Sequence, residues 1–194
     1  MSQKATYLVL DVETGGLDPA KHPLLTVGYY VASIDNYVVT PLHGNEIAIQ
    51  SGDLEVEPKA LSVNGISLEE HNAKASPSRE ALWGFLNDIK RFEWPKGKAT
   101  IMGHNTPFDQ GFMKAWFKRE GVDWDATFSH NSTDTLPVVM FLHVYGVLSV
   151  NSFKLQSVAA ALRIYPEKAH SALDDAKTTL QVFNALGRKV RAVN

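Results

Sequence analysis

The apolar pattern of this chain changes from strand-like to helical after its first third, and that change restricts the fold more than any other feature. Residues 5–10 form a short apolar run, partly β-branched and aromatic, which predicts a buried strand. Two further runs, 24–34 and 37–40, are separated by an Asp-Asn turn pair, which predicts a β-hairpin. Residues 46–50 extend this sheet or form a short edge strand. The first third is therefore predicted to be a β-meander.

Helical periodicity dominates the rest of the chain. Ser76 and Pro77 predict a helix start, and apolar residues then recur at helical spacing up to residue 89. Short apolar runs interrupt the helices at 99–102 and, with a weaker pattern, near 126–130. This order is typical of one mixed sheet covered by helices, so the predicted fold class is α/β. Further helices are predicted from Pro107 to Gly121 and at 136–147, 155–162 and 173–190, and residues 51–63 are predicted to be a surface loop.

The length and the composition limit the class of protein. The 194 residues fall within the roughly 100–200 residues of one domain, so we predict a single domain over residues 1–194. Nineteen basic and 21 acidic residues give a net charge of −2, which excludes a strongly basic coat protein but not a local nucleic-acid site. The absence of cysteine excludes disulfides, thiolate metal sites and cysteine nucleophiles. Without a signal-peptide pattern or a long apolar stretch, we expect a soluble, cytoplasmic protein with no membrane partner.

The first acidic segment contains Asp11 and Glu13 and ends the first predicted strand. Residues two apart in a strand point to the same face, so these carboxylates are presented together. Like charges at that spacing raise each other's pKa, and a divalent ion with oxygen ligands would relieve the repulsion. A lone pair of this kind is more often a polar strand end before a glycine turn, here Gly15-Gly16.

The second segment runs from His104 to Asp109, where a predicted strand meets a predicted helix. Thr106, Pro107 and Asp109 fit the N-cap, the first and the third positions of that helix. Asp109 is then explained as the partner of a capping box that also favours the helix dipole. By itself this segment indicates a helix start and no chemistry.

The third segment runs from His170 to Asp175. Ser171 and Asp174 have the spacing of a capping box, which makes Asp174 structural and places Asp175 within the first turns of the helix. His170 precedes the helix, where a histidine could accept a proton from a bound water as a general base. A surface histidine beside a helix cap is the commoner explanation of such a pattern.

The three segments together point to one chemistry. Two-metal phosphoryl hydrolysis requires several carboxylates from distant parts of the chain and one base. The motif order resembles that of the DEDDh (DnaQ-like) 3′–5′ exonucleases, which include DNA polymerase III proofreading subunits, ribonuclease T and oligoribonuclease. The resemblance rests on D-x-E-T at 11–14, H-N-x-x-F-D at 104–109 and H-x-A-x-x-D at 170–175, with Asp134-Thr135 where many members have an Asp-Thr pair.

The resemblance implies a ribonuclease H-like fold, with a mixed five-stranded sheet flanked by helices in a single domain. It implies a metal-dependent 3′–5′ exonuclease that releases nucleoside 5′-monophosphates with the help of two Mg²⁺ or Mn²⁺ ions. His170 would take the proton from the attacking water. The implied catalytic metal ligands are Asp11, Glu13, Asp109 and Asp175.

The resemblance also indicates how the 3′ end of a single strand would be bound. Leu17 and Phe108 would wedge or stack on the terminal bases, although Phe108 could equally belong to the core. Thr14 and Asn64 would supply hydrogen bonds to the terminal nucleotide. The remaining predicted substrate contacts are His104 and Asn105.

Several alternatives stay open at the level of the sequence. DNA is favoured as the substrate because residues 63–67 resemble a stretch of the polymerase proofreading subunits. An exoribonuclease that trims RNA 3′ ends is the alternative, and so is a nucleic-acid-binding scaffold without activity. The chain could work alone, as a homodimer or as a polymerase subunit. A dinucleotide enzyme and a zinc hydrolase are disfavoured, since the G-x-G-x-x-G spacing and a paired histidine motif are both missing.

Overall fold

A computed structural model describes residues 5–35, 38–166 and 171–192. Its centre is a five-stranded mixed sheet with the order β3-β2-β1-β4-β5. The β1–β2 and β2–β3 pairs are antiparallel, whereas β1–β4 and β4–β5 are parallel. The predicted mixed sheet flanked by helices is therefore confirmed, while its extent as one domain over residues 1–194 stays a prediction. The strands are β1 Ala5–Thr14, β2 Leu24–Asp35, β3 Val38–Ala48, β4 Ala99–Gly103 and β5 Phe128–Asp134.

Five of the eight helices in the described part of the chain were predicted, whereas those that begin at Pro58, Leu68 and Trp124 were not. The last of these includes residues 126–127, where the sequence predicted the start of a strand. The segment 51–63 was predicted to be a loop, but its second half enters a short helix at Pro58, since proline fits the first turn of a helix. No helix in the described ranges is long and apolar enough to cross a membrane. The helices are α1 Pro58–Asn64, α2 Leu68–Lys74, α3 Ser78–Ile89, α4 Thr106–Arg119, α5 Trp124–Thr127, α6 Thr135–Val144, α7 Leu155–Ala161 and α8 Ala172–Ala192.

Strand β3 corrects the predicted division of the first sheet. The segments 37–40 and 46–50 were expected to be separate, but one strand runs from Val38 to Ala48. Pro41 made the middle of this strand look like a break. Because β3 lies at the edge of the sheet, a missing N–H is tolerated there, and the pairing register shifts nearby. The predicted turn residue Asn36 lies outside the described residues.

The alternation of side chains along β1 divides the core into two layers. Leu8, Leu10 and Val12 face α3 and α4 and belong to a large aromatic-rich cluster. Val9 faces the other way and packs with Leu180 of α8. Since successive strand residues alternate, Asp11 and Glu13 lie on the same face as Val9, toward α8.

Asn184 of α8 also holds the edge strand. Its side-chain amide donates to the carbonyl of Val39 and accepts from the amide of Val39, both at 2.8 Å. A third apolar cluster, which includes Val139, Val158 and Val182, packs α6 and α7 against the second half of α8. Helix α8 therefore connects the sheet to the α6–α7 layer.

Gly28 of β2 permits the close approach of α8 to the sheet. A Cβ atom at this position would lie 2.1 Å from the carbonyl carbon of Ala172 and 2.1 Å from the amide nitrogen of Leu173. Gly28 pairs with Asp11 on one side and with Glu46 on the other. The absent side chain therefore allows the first turn of α8 to lie directly over the acidic end of β1.

We expect Gly28→Ala to destabilise the protein by about 1–3 kcal/mol, because the added methyl group overlaps backbone atoms that a side-chain rotation cannot move. Gly84→Ala is the matched control, since nothing lies within 4 Å of the added carbon on α3. Replacing a glycine inside a helix should stabilise the protein by up to about 1 kcal/mol. Urea unfolding of both variants checks the difference, and equal stabilities would contradict the close packing at Gly28.

Candidate active site

Three carboxylates meet at the end of β1. Asp11 and Glu13 come from that strand, and Asp175 comes from the first turns of α8. One carboxylate oxygen from each residue lies within 4.8 Å of the other two. We call Asp11, Glu13 and Asp175 the carboxylate triad. Strand alternation and the close approach at Gly28 together explain why residues so distant in the sequence converge here.

Burial makes the ionised form of the triad unfavourable without a counter-charge. Desolvation by burial, together with repulsion from Asp175 and Glu46, raises the pKa of Glu13 from 4.5 to about 7. Burial raises the pKa of Asp11 well above its ordinary value, and Asp109 and Asp175 add to that shift. The acids therefore repel one another, and a bound cation would relieve this repulsion.

Asp109 lies behind the triad, in the first turn of α4, and is only 4% exposed. Burial raises the pKa of Asp109 well above its ordinary value, although its own backbone amide and that of Val12 oppose the shift by hydrogen bonding. The repulsion between Asp109 and Asp11 shows that the fourth acid acts on the triad electrostatically. It is not one of the three residues whose oxygens meet within 4.8 Å.

The cap of α4 differs from the predicted capping box. Thr106 is the first helical residue, and the N-cap is Asn105, whose φ of 68° is left-handed. Asp134 supplies the capping carboxylate and accepts hydrogen bonds from the amides of Asn105 and Thr106, each at 2.9 Å. The same side chain caps α6 by accepting from the amide of Leu136 at 2.8 Å. Asp109 is therefore not the capping partner of Thr106.

The cap of α8 forms between the predicted residues. The Ser171 hydroxyl accepts from the amide of Asp174 at 3.2 Å and donates to the Asp174 carboxylate at 3.0 Å. Asp174 is therefore occupied at the helix start, while its neighbour Asp175 joins the triad. His170, the predicted general base, lies outside the described residues.

Two polar residues near the triad were missed by the sequence reasoning. The Gln156 amide of α7 donates to both Asp175 oxygens, at 3.2 and 3.4 Å. The Glu46 carboxylate of β3 accepts from the amide of Leu173 at 2.9 Å. Neither residue belongs to a motif, and the only available signal for Glu46 is its position in the predicted edge segment.

A cleft of about 330 Å³ adjoins the triad on the side of Glu13. Leu17 lines it and is 76% exposed, and Phe108 lines it while its ring packs 5.1 Å from that of Phe112. Asn64 donates to the Thr14 carbonyl at 3.1 Å and so holds α1 against the end of β1. Four of the six predicted substrate contacts line this cleft, namely Thr14, Leu17, Asn64 and Phe108.

The other two predicted substrate contacts, His104 and Asn105, line a separate hollow. The Nε2 atom of His104 lies 2.7 Å from the carbonyl oxygen of Phe153, and Nδ1 lies 2.7 Å from the Thr135 hydroxyl. A carbonyl can only accept, so Nε2 carries the proton in this arrangement. His104 therefore ties the start of α6 to the segment before α7, and its direct contact with substrate stays a prediction.

The chemistry of the triad fits a hard divalent cation. All three side chains offer carboxylate oxygens, which Mg²⁺ and Mn²⁺ prefer over nitrogen or sulfur ligands. The triad could hold one ion, and Asp11 with Asp109 could contribute to a second. Repulsion among the carboxylates favours binding, since a cation would stabilise their ionised forms.

Comparisons with known proteins agree with this geometry. The exonuclease family model RNase_T matches residues 8–183, which include the triad and Asp109. The chain is 32% identical over 182 residues to the PolC-type DNA polymerase III of Thermotoga petrophila, covering 93% of this chain and 12% of that protein. It is 27% identical over 188 residues to ribonuclease T of Actinobacillus pleuropneumoniae, covering 95% of this chain and 84% of that protein. The resemblance to DEDDh exonucleases is confirmed.

A solved structure confirms the fold. The chain superimposes on Escherichia coli exonuclease I, crystallised with a dT13 oligonucleotide, with a TM-score of 0.77 and 22% sequence identity. The match covers 97% of this chain and 42% of that one. At this identity the likeness concerns the architecture. The chain thus spans only a part of both the polymerase relative and the exonuclease I structure.

The raised pKa of Glu13 predicts a pH-dependent stability of the metal-free protein. The pKa of Glu13 is about 7 in the folded state and ordinarily 4.5, so unfolding releases a proton at pH values between these two. The stability contributed by protonated Glu13 is therefore lost as the pH rises through about 7. Thermal unfolding in EDTA at about pH 5 and about pH 8 should show a larger fall for the wild type than for Glu13→Gln. Excess Mg²⁺ should reduce this fall in stability. Equal pH dependence of the wild type and Glu13→Gln would contradict the prediction.

Proposed function

The chain belongs to the RNase_T exonuclease family, and from that membership we propose that it removes nucleotides from the 3′ end of single-stranded nucleic acid. The products are nucleoside 5′-monophosphates, and DNA is the preferred substrate. The observation that carries the proposal is the carboxylate triad, whose three carboxylate oxygens lie within 4.8 Å of one another.

Each acid has a separate role in this proposal. Asp11, Glu13 and Asp175 would hold one Mg²⁺ or Mn²⁺, and Asp11 with Asp109 would hold a second. When bound, such a pair of ions activates a water and stabilises the charge of the leaving oxygen. Glu13 and Asp175 come from opposite sides of the site, one from the strand and one from the helix, so both elements must be in place before the ligand set is complete. His170, outside the described residues, would accept the proton of the attacking water.

The cleft beside Glu13 suits the terminal nucleotide. Its volume of about 330 Å³ falls in the range of sites for small molecules. Leu17 and Phe108 offer apolar surfaces for the base, and stacking on such surfaces tolerates any base. This arrangement supports a requirement for a free 3′ terminus without sequence preference.

The hydrogen bonds of the cleft support the preference for DNA. A protein distinguishes RNA from DNA through polar contacts to the 2′-hydroxyl group. The Thr14 hydroxyl already donates to the Gly16 carbonyl at 2.7 Å, and Asn64 bonds the Thr14 carbonyl and the Ile66 amide. The side chains of Thr14 and Asn64 are therefore engaged within the fold. The PolC-type relative, a DNA polymerase by name, also supports DNA.

An exoribonuclease is the second candidate function. Its support is the likeness to ribonuclease T, of which the chain covers 84%. For partners we propose the single-stranded 3′ end and a DNA polymerase, since the matched segment is part of a polymerase chain in the PolC-type relative. A homodimer is the alternative arrangement, and the expected cytoplasmic location stays a prediction.

We expect EDTA to abolish hydrolysis of a labelled single-stranded oligonucleotide and Mg²⁺ or Mn²⁺ to restore it, because the carboxylates require a cation. Blocking the 3′ end should stop degradation, and the products should carry 5′-phosphates on gel or mass analysis. In a competition assay DNA should be degraded faster than RNA of the same sequence. Cutting of circular single strands would contradict the proposed polarity, and a wide preference for RNA would favour the second candidate.

The adjacent acids of α8 should differ sharply in their importance. Asp175→Asn should lower kcat by more than about 100-fold, because a neutral amide replaces a charged cation ligand. Even residues that only hydrogen-bond to metal ligands typically change metal affinity or activity by about 10–100-fold when they are mutated. Asp174→Asn is the matched control and should cost at most about 1 kcal/mol of stability, from the weakened cap. Activity assays and thermal unfolding of both variants check this. The register of α8 is wrong if Asp174→Asn is the inactive variant.

A further inference from the structure

The hollow lined by His104 and Asn105 lies one residue away from the carboxylate triad. Its volume is about 390 Å³, and its lining includes Asn105, Phe153, Lys154 and Gln156. Gln156 connects this hollow to the triad through its hydrogen bonds to Asp175. We call the hollow the upstream shelf.

Each hollow is linked to the triad through one of its lining residues. Glu13 lines the 330 Å³ cleft, and Gln156, bonded to Asp175, lines the upstream shelf. The described lining residues of the two hollows do not overlap. A phosphodiester at the triad has a nucleotide on each of its two sides, so a strand cleaved there requires two neighbouring sites.

We propose that the upstream shelf binds the nucleotide on the 5′ side of the scissile bond, with Lys154 on a phosphate and Phe153 against a base. This inference rests on the proposed exonuclease function, since it takes the 330 Å³ cleft as the site of the terminal nucleotide. The upstream shelf then determines how well the protein holds a strand of more than one nucleotide.

Phe153 is fixed in place although it is partly exposed. The side chain is 38% exposed, and its ring meets the His143 ring edge-on, with centroids 5.4 Å apart and an interplanar angle of 88°. His104 bonds the Phe153 carbonyl, and Thr135 bonds His104 in turn. An aromatic ring held from behind with a free side is the arrangement that stacks on a base. His104 is accordingly a positioning residue for Phe153.

Lys154 supplies a positive charge to the upstream shelf. It is exposed, and within the described ranges no carboxylate lies at ion-pair distance from its ammonium group. Its backbone amide donates to the Ser152 hydroxyl at 3.3 Å, which fixes the chain just before α7. The triad repels phosphate oxygens, so a nearby cation is the group that would offset this repulsion for the next phosphate of the strand.

Two substrates separate the upstream shelf from the catalytic centre. The p-nitrophenyl ester of thymidine 5′-monophosphate has a terminal nucleotide and a scissile phosphate but no nucleotide on the 5′ side. A single-stranded oligo-dT has all three. The variants are Lys154→Met and Phe153→Leu, which retain apolar volume, and the control is Lys90→Met, an exposed lysine at the end of α3.

For both shelf variants we expect kcat/KM on oligo-dT to fall about tenfold, since one stacked base or one phosphate contact is lost. Hydrolysis of the nitrophenyl ester should stay within about twofold of wild type, and Lys90→Met should change neither substrate. Equal losses on both substrates would show a structural effect and overturn the inference, as would unchanged activity on oligo-dT.

A binding measurement tests the shelf without turnover. The probe is a labelled oligo-dT whose 3′-terminal linkages are phosphorothioates, with fluorescence anisotropy as the readout. Lys154→Met should weaken binding about tenfold and lower the slope of log affinity against log salt by about 0.7, the value of one phosphate contact on a single strand. An unchanged slope would overturn the role of Lys154, and this measurement does not depend on hydrolysis. If the wild type hydrolysed neither substrate, that separate result would contradict the proposed function.

Discussion

Repulsion among buried and half-buried carboxylates at the end of β1 is the constraint on which the rest of this structure depends. Burial and mutual proximity raise the pKa values of Asp11, Glu13 and Asp109. Such a cluster opposes folding of the metal-free chain, so the surrounding packing must hold it together. The two-layer core, the close contact at Gly28 and the cap at Ser171 supply that support.

Some acidic side chains of this protein accept hydrogen bonds that fix helix starts, whereas others are placed to bind a cation. Asp134 accepts from three backbone amides and fixes the starts of both α4 and α6. Asp174 is likewise occupied by Ser171. A carboxylate that accepts several hydrogen bonds needs no metal for its charge, whereas Asp11 and Glu13 are strongly perturbed by desolvation. The environment of each acid, rather than its residue type, therefore indicates its role.

The sequence predicted those features that depend on neighbours along the chain. Alternation in β1 placed Asp11 and Glu13 on one face, and local spacing predicted the pairing of Ser171 with Asp174. Features that depend on distant residues were missed or wrong. The cap of α4 was misassigned because its carboxylate comes from β5, and the contact of Gln156 with Asp175 joins two helices. Strand β5 extends to Asp134, past the predicted 126–130, since its polar residues conceal a strand pattern.

The edge strand β3 has a consequence for how this protein can assemble. An open edge usually invites a further strand, because its unpaired amides and carbonyls template a neighbour. Here the side-chain amide of Asn184 imitates a peptide group and occupies both backbone groups of Val39, while Pro41, two residues on, has no N–H to offer. Strand addition at this end of β3 is thereby blocked. The sheet is protected from edge-to-edge aggregation there, and a partner that docks by extending it would have to compete with α8.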